Sequence, residues 1–396
     1  MKICTKLSLI SVALLSQLNA SESVNSIQEM FSNGEVNGQI RLGYYNVDLD
    51  ANSDTQSVTA IGGQLKYETA SLNGINAGVA MFTAHSINSL SGDKDSDKFS
   101  DFLTSSEGSY TELAEAYLNY SIDNFNIRIG RQLLDTPLAD GDDIAMTPNS
   151  FEAIVASYDI KDLGLSVIGA NIQRMQGADA GYENVLKHSW MDTGDSGTNM
   201  LAVVYAKDTV EASAWYYDVD KSAKAFYMDA SKEFEIYPYH HITFGVQYLS
   251  ESEEDSSGIE GSIAGMMLDA NYYNFNAMIA YNDINIDDSK TIFEGFGGGC
   301  SYTNMETTTA GAIDTDSSSY LISLGYSLDA IDFSLSYGNF EADIENNGHL
   351  QEVDAGISYA LNDGQADISL TYVHIDDKIV ANNDSDEIKV FANYNF

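Results

Sequence analysis

The stretch Ile388-Lys389-Val390-Phe391-Ala392-Asn393-Tyr394-Asn395-Phe396 alternates with period two. Ile388, Val390, Ala392, Tyr394 and Phe396 fall on one face, and Lys389, Phe391, Asn393 and Asn395 on the other. Successive side chains of a strand point to opposite sides, so this is a strand with one apolar and one polar face. The same reading holds for Ile331, Phe333, Leu335 and Tyr337 against Asp332, Ser334, Ser336 and Gly338. It holds for Tyr320, Ile322, Leu324 and Tyr326, and for Phe275, Ala277, Ile279 and Tyr281. Each segment is about ten residues long, the length a tilted strand needs to cross a bilayer.

Working back towards Val36, such segments number about eighteen. Short turns recur at Leu72-Asn73, Ile122-Asp123, Asp208, Asp329-Ala330 and Asn362-Asp363-Gly364. Longer polar connections near 88–109, 134–150, 175–196, 251–260, 285–317 and 376–385 alternate with them. This parity predicts an all-β fold, a transmembrane antiparallel β-barrel with long extracellular loops and short periplasmic turns. An edgeless barrel has no place for proline within its strands. The three prolines, Pro137, Pro148 and Pro238, all fall in connections.

Composition narrows the function. The 396 residues carry 60 Asp and Glu against 18 Lys and Arg, a formal net charge of −42, which would repel a nucleic-acid backbone. With 44% hydrophobic and 11% aromatic residues the chain has enough apolar surface to be ordered despite that charge. Lys2 and Lys6, the apolar run Leu7 to Leu15 and Leu18-Asn19-Ala20 read as a secretory signal peptide over residues 1–20. Its removal takes Cys4 and leaves Cys300 as the single cysteine, so no internal disulfide is expected. Residues 21–35 read as a short periplasmic segment with a helical turn at Ser26–Phe31, and 36–396 as the barrel.

Two connections stand apart. One runs from Leu133 to Glu152 with Pro137 and Pro148 at its ends and apolar residues between, which suits a loop packed inside something. The other, Phe293-Glu294-Gly295-Phe296-Gly297-Gly298-Gly299-Cys300-Ser301-Tyr302-Thr303-Asn304-Met305-Glu306, has glycines that let its backbone approach a neighbour closely. The stretches IGRQLLDTPL, PNSFEA and FEGFGGGCSYTNME, with the opening SIQEMFSNGEVNGQIRLGY, resemble the OprD-type outer-membrane porins, especially those of epsilonproteobacteria. The resemblance spans the chain. It implies an eighteen-stranded barrel constricted by two inward-folded loops, here near 134–150 and 285–317, and a ladder of basic side chains that guides carboxylate-bearing solutes past an acidic pocket. It also implies that the terminal Phe396 is offered to the barrel assembly machinery. Where relatives carry an Arg shortly before PNSFEA this chain has Ala145, and where many carry Pro it has Cys300.

The candidate pore-lining and constriction residues are Arg41, Lys66, Glu115, Arg128, Arg131, Asp135, Asp142, Asp143, Arg174, Glu294, Ser301, Tyr302, Glu306 and Lys389. Strand parity puts Arg41, Lys66, Arg128, Arg174 and Lys389 on the polar face and leaves Arg131 undecided. Inward acids, Glu115, Glu211, Asp229, Asp269, Asp332, Asp354 and Asp367, are at least as numerous, which points to a weakly cation-preferring pore. Asp48, Asp50 and Asp54, and Asp93, Asp95 and Asp97, have the alternate oxygen ligands of calcium loops but lack the closing Glu, so solvated acidic loops are the better reading. No catalytic constellation and no cofactor motif emerges.

The expected function is passive diffusion of small hydrophilic solutes or ions through a water-filled channel in the outer membrane of a Gram-negative cell. The expected partners are outer-membrane lipid, lipopolysaccharide, reached directly or through divalent cations, and the assembly machinery. Monomer and homotrimer are both open. The alternative is a structural or adhesive barrel whose acidic surface loops are the working parts.

Overall fold

A computed structural model of the chain describes residues 23–49, 55–94, 96–180, 187–286, 289–380 and 383–396. The expected signal peptide lies outside these residues, as do Asp50, Asp54 and Asp95. Eighteen long strands make the wall: β1 Glu35–Leu49, β2 Gln56–Glu68, β3 Ile75–Ser86, β4 Ser109–Ile122, β5 Phe125–Gln132, β6 Ser150–Ile160, β7 Leu165–Gln176, β8 Thr198–Lys207 and β9 Val210–Val219 in the first half. The second half is β10 Ala223–Tyr237, β11 His240–Glu253, β12 Gly261–Tyr272, β13 Phe275–Ile286, β14 Ser317–Leu328, β15 Ile331–Ala342, β16 His349–Leu361, β17 Ala366–Asp377 and β18 Ser385–Asn395. Every strand pairs antiparallel with its sequence neighbour, and β18 closes on β1 from Gln39 opposite Asn395 to Leu49 opposite Ser385.

Closure satisfies the ladder on both sides of every strand, the condition for crossing lipid with strands. The outward residues form an exposed apolar belt: Leu42, Ile61, Leu65, Val79, Leu118, Ile129, Leu201, Ile279, Ile322, Leu335 and Leu370 all show large exposed surfaces. Such a belt is stable only against hydrocarbon, so the strands are membrane-spanning. Tyr120, Tyr272, Tyr281, Tyr359, Tyr372 and Tyr394 share that outward parity.

The tight turns use positive φ, which Asn and Asp tolerate better than other side chains: Asn73 at 53°, Asp123 at 52°, Asp208 at 58° and Asp329 at 53°. The opposite rim carries the longer connections, with one exception, since residues 220–222 join β9 to β10 in only three residues. At the turn side a helix, Ile27–Ser32, is closed by a reciprocal cap in which Ser26 Oγ accepts from Glu29 N and Glu29 Oε2 accepts from Asn25 N.

Three irregularities interrupt the period, one near the turn-side end of β10 where Glu235 opposes His241 and Tyr237 opposes His240, and two that bear on inward residues. Ala80 opposes Glu115 but Met81 opposes Leu113, which leaves Ala114 and Glu115 both buried on the inner side. On β7, Arg174 opposes Glu152 while Ile172 opposes Ala153, so Gln173 is the extra residue. A bulge of one residue reverses the side on which every later residue emerges.

Candidate functional site

The segment between β5 and β6 crosses the interior. Leu134, Leu138 and Ala139 belong to a buried cluster with Tyr217, Tyr227, Leu249 and Ile284, inward residues of β9 to β13 on the far wall. The Leu138 amide points at Tyr217 Oη over 3.4 Å. Further along, Met146 packs with Tyr45, Val58 and Leu103 on the side of β1 and β2, and Tyr110 Oη is 2.8 Å from Thr147 Oγ1. Arg41 on β1 holds this segment at a third place. Its guanidinium takes both oxygens of Asp143 at 2.7 and 2.9 Å, donates to the Ala145 carbonyl at 2.7 Å, and is steadied by Asn393 Oδ1 at 2.8 Å.

The segment between β13 and β14 lines the other half. Phe293 N donates to Glu251 on β11, Tyr302 Oη to the Val246 carbonyl on the same strand, and Thr303 Oγ1 meets Asn282 on β13 and Ser319 on β14. Thr307 N and Thr308 N both donate to the Glu352 carboxylate on β16, at 3.0 and 2.7 Å. Glu306 lies 3.6 Å from Lys389 on β18, which is also 3.4 Å from Glu387. Glu294 works within its own segment, accepting from Ser301 Oγ at 3.1 Å and from Gly311 N at 2.9 Å. Two of the candidate residues, Glu294 and Ser301, are thereby brought together.

The two segments meet. Asp140 N donates to the Phe296 carbonyl and Phe296 N to the Leu138 carbonyl, both at 3.0 Å. Gly295 and Gly297 permit this contact: at φ of 114° and 125°, a Cβ would sit 2.7 Å from Leu138 Cα and 2.6 Å from the Asp140 carbonyl. At Gly298 it would sit 2.8 Å from Asp142 Oδ1. Asp135 belongs to the small hairpin, Asp135–Thr136 against Ala139–Asp140, that presents this edge. A third segment, not anticipated as inward, joins them. Phe102 stacks on Tyr45 at 4.2 Å and Leu103 is fully buried.

Lys66 on β2 is 3.0 Å from Glu115 on β4, and Arg128 on β5 lies over the Tyr117 ring at 4.3 Å. Arg41, Lys66 and Lys389 thus each face a carboxylate. Among the described residues Arg128 has none within ion-pair distance. The inner wall is more acidic than its strand pattern suggested, because Glu112, Glu251, Glu352 and Glu387 are buried inward alongside Glu115, Asp269 and Asp354. Alternation alone could have found Glu251, Glu352 and Glu387, whereas the bulge at Glu115 hides Glu112 from it. Cys300 packs beside the buried cluster of the first segment. Burial pushes its thiol well above the usual range, and the Glu294, Glu251 and Asp229 carboxylates add to the shift.

Arg131 and Arg174 are a correction. Gln132, Phe151 and Met175 are buried inward, so their neighbours Arg131, Glu152 and Arg174 point out, with Ile129 and Ile154. Plain counting along β7 places Arg174 inside with Ile168 and Ile172; the bulge at Gln173 carries it outside. Of the calcium candidates, Asp48, Asp93 and Asp97 are described, and no group of three metal-binding side chains forms among the described residues.

A closed eighteen-strand barrel with an apolar belt and an interior crossed by two touching segments has the fold of outer-membrane porins. Among solved structures the chain is similar to Acinetobacter baumannii OccAB4, with TM-score 0.78 and 16% identity over 92% of this chain and 98% of that one. It is similar to Pseudomonas aeruginosa OpdK, solved with vanillate, at TM-score 0.79 and 13% identity over 93% and 99%. A BenF-like porin from Pseudomonas fluorescens Pf-5 gives TM-score 0.80 and 12% identity over 93% and 99%. No protein-family model and no curated protein matches the chain.

Proposed function

We propose that the protein is an outer-membrane porin that passes small hydrophilic solutes and ions passively, with a weak preference for cations. The porin part rests on the fold and on the sequence resemblance to OprD-type porins of epsilonproteobacteria. The selectivity rests on one observation: the inward acids outnumber the inward cations, and three of the four strand cations facing inward are held by carboxylates. Acidic side chains around a narrow aqueous path concentrate cations there. The segments between β5 and β6 and between β13 and β14 act as the constriction, since their mutual hydrogen bonds span the interior. Asp142, Asp143, Glu306 and Lys389 are its charged rim, and Phe396, paired through its backbone with Gly38, serves as the assembly signal.

Reconstitution of purified protein into planar bilayers tests the channel reading. A steady open current in KCl is expected. A folded barrel that stays silent would overturn it and leave the acidic loops as the working surface.

A further inference from the structure

The sequence contains four arginines, and two of them, Arg131 and Arg174, stand on the outward face of the barrel at its long-loop rim. An arginine turned towards lipid is costly near the bilayer centre and tolerated at the interface, so its position must be matched by something polar at that depth. The next outward residues on β5 and β6 towards the turn side are Ile129 and Ile154, both highly exposed and apolar. They lie one pleat repeat away, about 7 Å. The arginines therefore sit just above the apolar belt, where headgroups begin.

Their surroundings form a shaped patch. Both guanidinium groups pack on the Trp190 ring, with Arg131 Cζ 4.7 Å and Arg174 Cζ 5.2 Å from its centroid. Tryptophan favours this depth in a membrane. Glu152 accepts from Arg174 Nη2 at 2.7 Å and lies 3.9 Å from Arg131 Nε, while Arg131 Nη1 donates to the Leu113 carbonyl. Arg131 and Arg174 each make one hydrogen bond to described residues through these groups, and both side chains stay partly exposed. Beside them, Gln173 donates to Asn171, Asn171 to Asn199, and Gln173 to the Ser196 carbonyl, an amide row on the same outward face. Amides suit hydroxyls, and guanidinium groups suit phosphate.

We propose that this patch binds the phosphorylated sugar headgroup of an outer-leaflet glycolipid, with Arg131 and Arg174 on the phosphate and Gln173, Asn171 and Asn199 on the sugar. The proposal goes beyond the channel reading and requires only that the long-loop rim face outward. Because both arginines face away from the interior, the site is independent of conduction.

Detergent-solubilised full-length protein is titrated with bisphosphorylated lipid A, with chemically dephosphorylated lipid A and with inorganic phosphate, binding being read by native mass spectrometry. Wild type should prefer the bisphosphorylated form, and R131Q/R174Q should bind it roughly thirtyfold more weakly. The KCl conductance of R131Q/R174Q should equal that of wild type. Equal wild-type affinity for the two lipid A forms, or undiminished binding by the variant, would overturn the proposal. Displacement of lipid A by equimolar inorganic phosphate would reduce the patch to a general anion cradle and also overturn it. The wild-type comparison decides the matter alone should the variant fail to fold.

Discussion

Arg128 carries more of the electrostatic argument than any other side chain. It projects from β5 towards the interior and rests on Tyr117, with no carboxylate at ion-pair distance among the described residues. Its charge is therefore felt by passing ions with little local cancellation. Arg128→Gln should raise the ratio of potassium to chloride permeability by about twofold, measured as a larger zero-current potential in a KCl gradient. An unchanged ratio would mean that Arg128 lies off the ion path. Arg41 has a different task, because both carboxylate oxygens of Asp143 and the Ala145 carbonyl depend on it. Arg41→Ala leaves these acceptors without their donor and should cost about 1–3 kcal/mol, seen as a lower midpoint of thermal unfolding in detergent. The Cys300 thiol is raised by burial and by neighbouring carboxylates, so its thiolate is scarce at neutral pH. Maleimide labelling of folded protein should be slow at pH 7.5, and its rate should keep rising at pH values where a free cysteine has levelled off. Labelling as fast as that of a model thiol would contradict the described packing.

At the scale of elements, the contact between the two interior segments depends on backbone proximity that only glycine allows. A valine at Gly297 would place Cβ 2.6 Å from the Asp140 carbonyl, at a φ of 125° that valine does not accept. Gly297→Val should separate the segments without opening the barrel. Single-channel conductance should rise and become noisier while the folded band in unheated gel electrophoresis persists. Unchanged conductance would show that the contact does not limit flow. The strands were legible because each buries one face, and a period of two survives in sequence without any alignment. The glycine run was legible as a close approach, but its partner was not, since Leu138 and Asp140 lie more than 150 positions away and nothing local names them. The side of Arg174 was misread for a physical reason. One extra residue, Gln173, inverts parity, and a bulge leaves no compositional mark in this strand. Arg131 stands next to the end of β5, where parity assigns no side, and the inward burial of Gln132 and Phe151 is what turns it out.

Across the whole molecule, the net charge of −42 is distributed over two surfaces with different consequences. Alternation already places acids such as Glu115 and Asp354 on the inner wall, and the structure adds Glu112, Glu251, Glu352 and Glu387 to that line of buried inward carboxylates. Cations facing inward are few and mostly paired, and two of the four arginines point to lipid instead of the interior. A barrel of this fold without a free basic track should favour cations over the small carboxylates that an OprD-type resemblance implies. The most direct test is the zero-current potential of the purified protein in a planar bilayer with a tenfold KCl gradient. The potential should carry the sign of potassium selectivity and shrink towards zero as both baths are raised towards molar salt, where screening weakens the acidic wall. A potential of the chloride-selective sign at low salt would contradict the account.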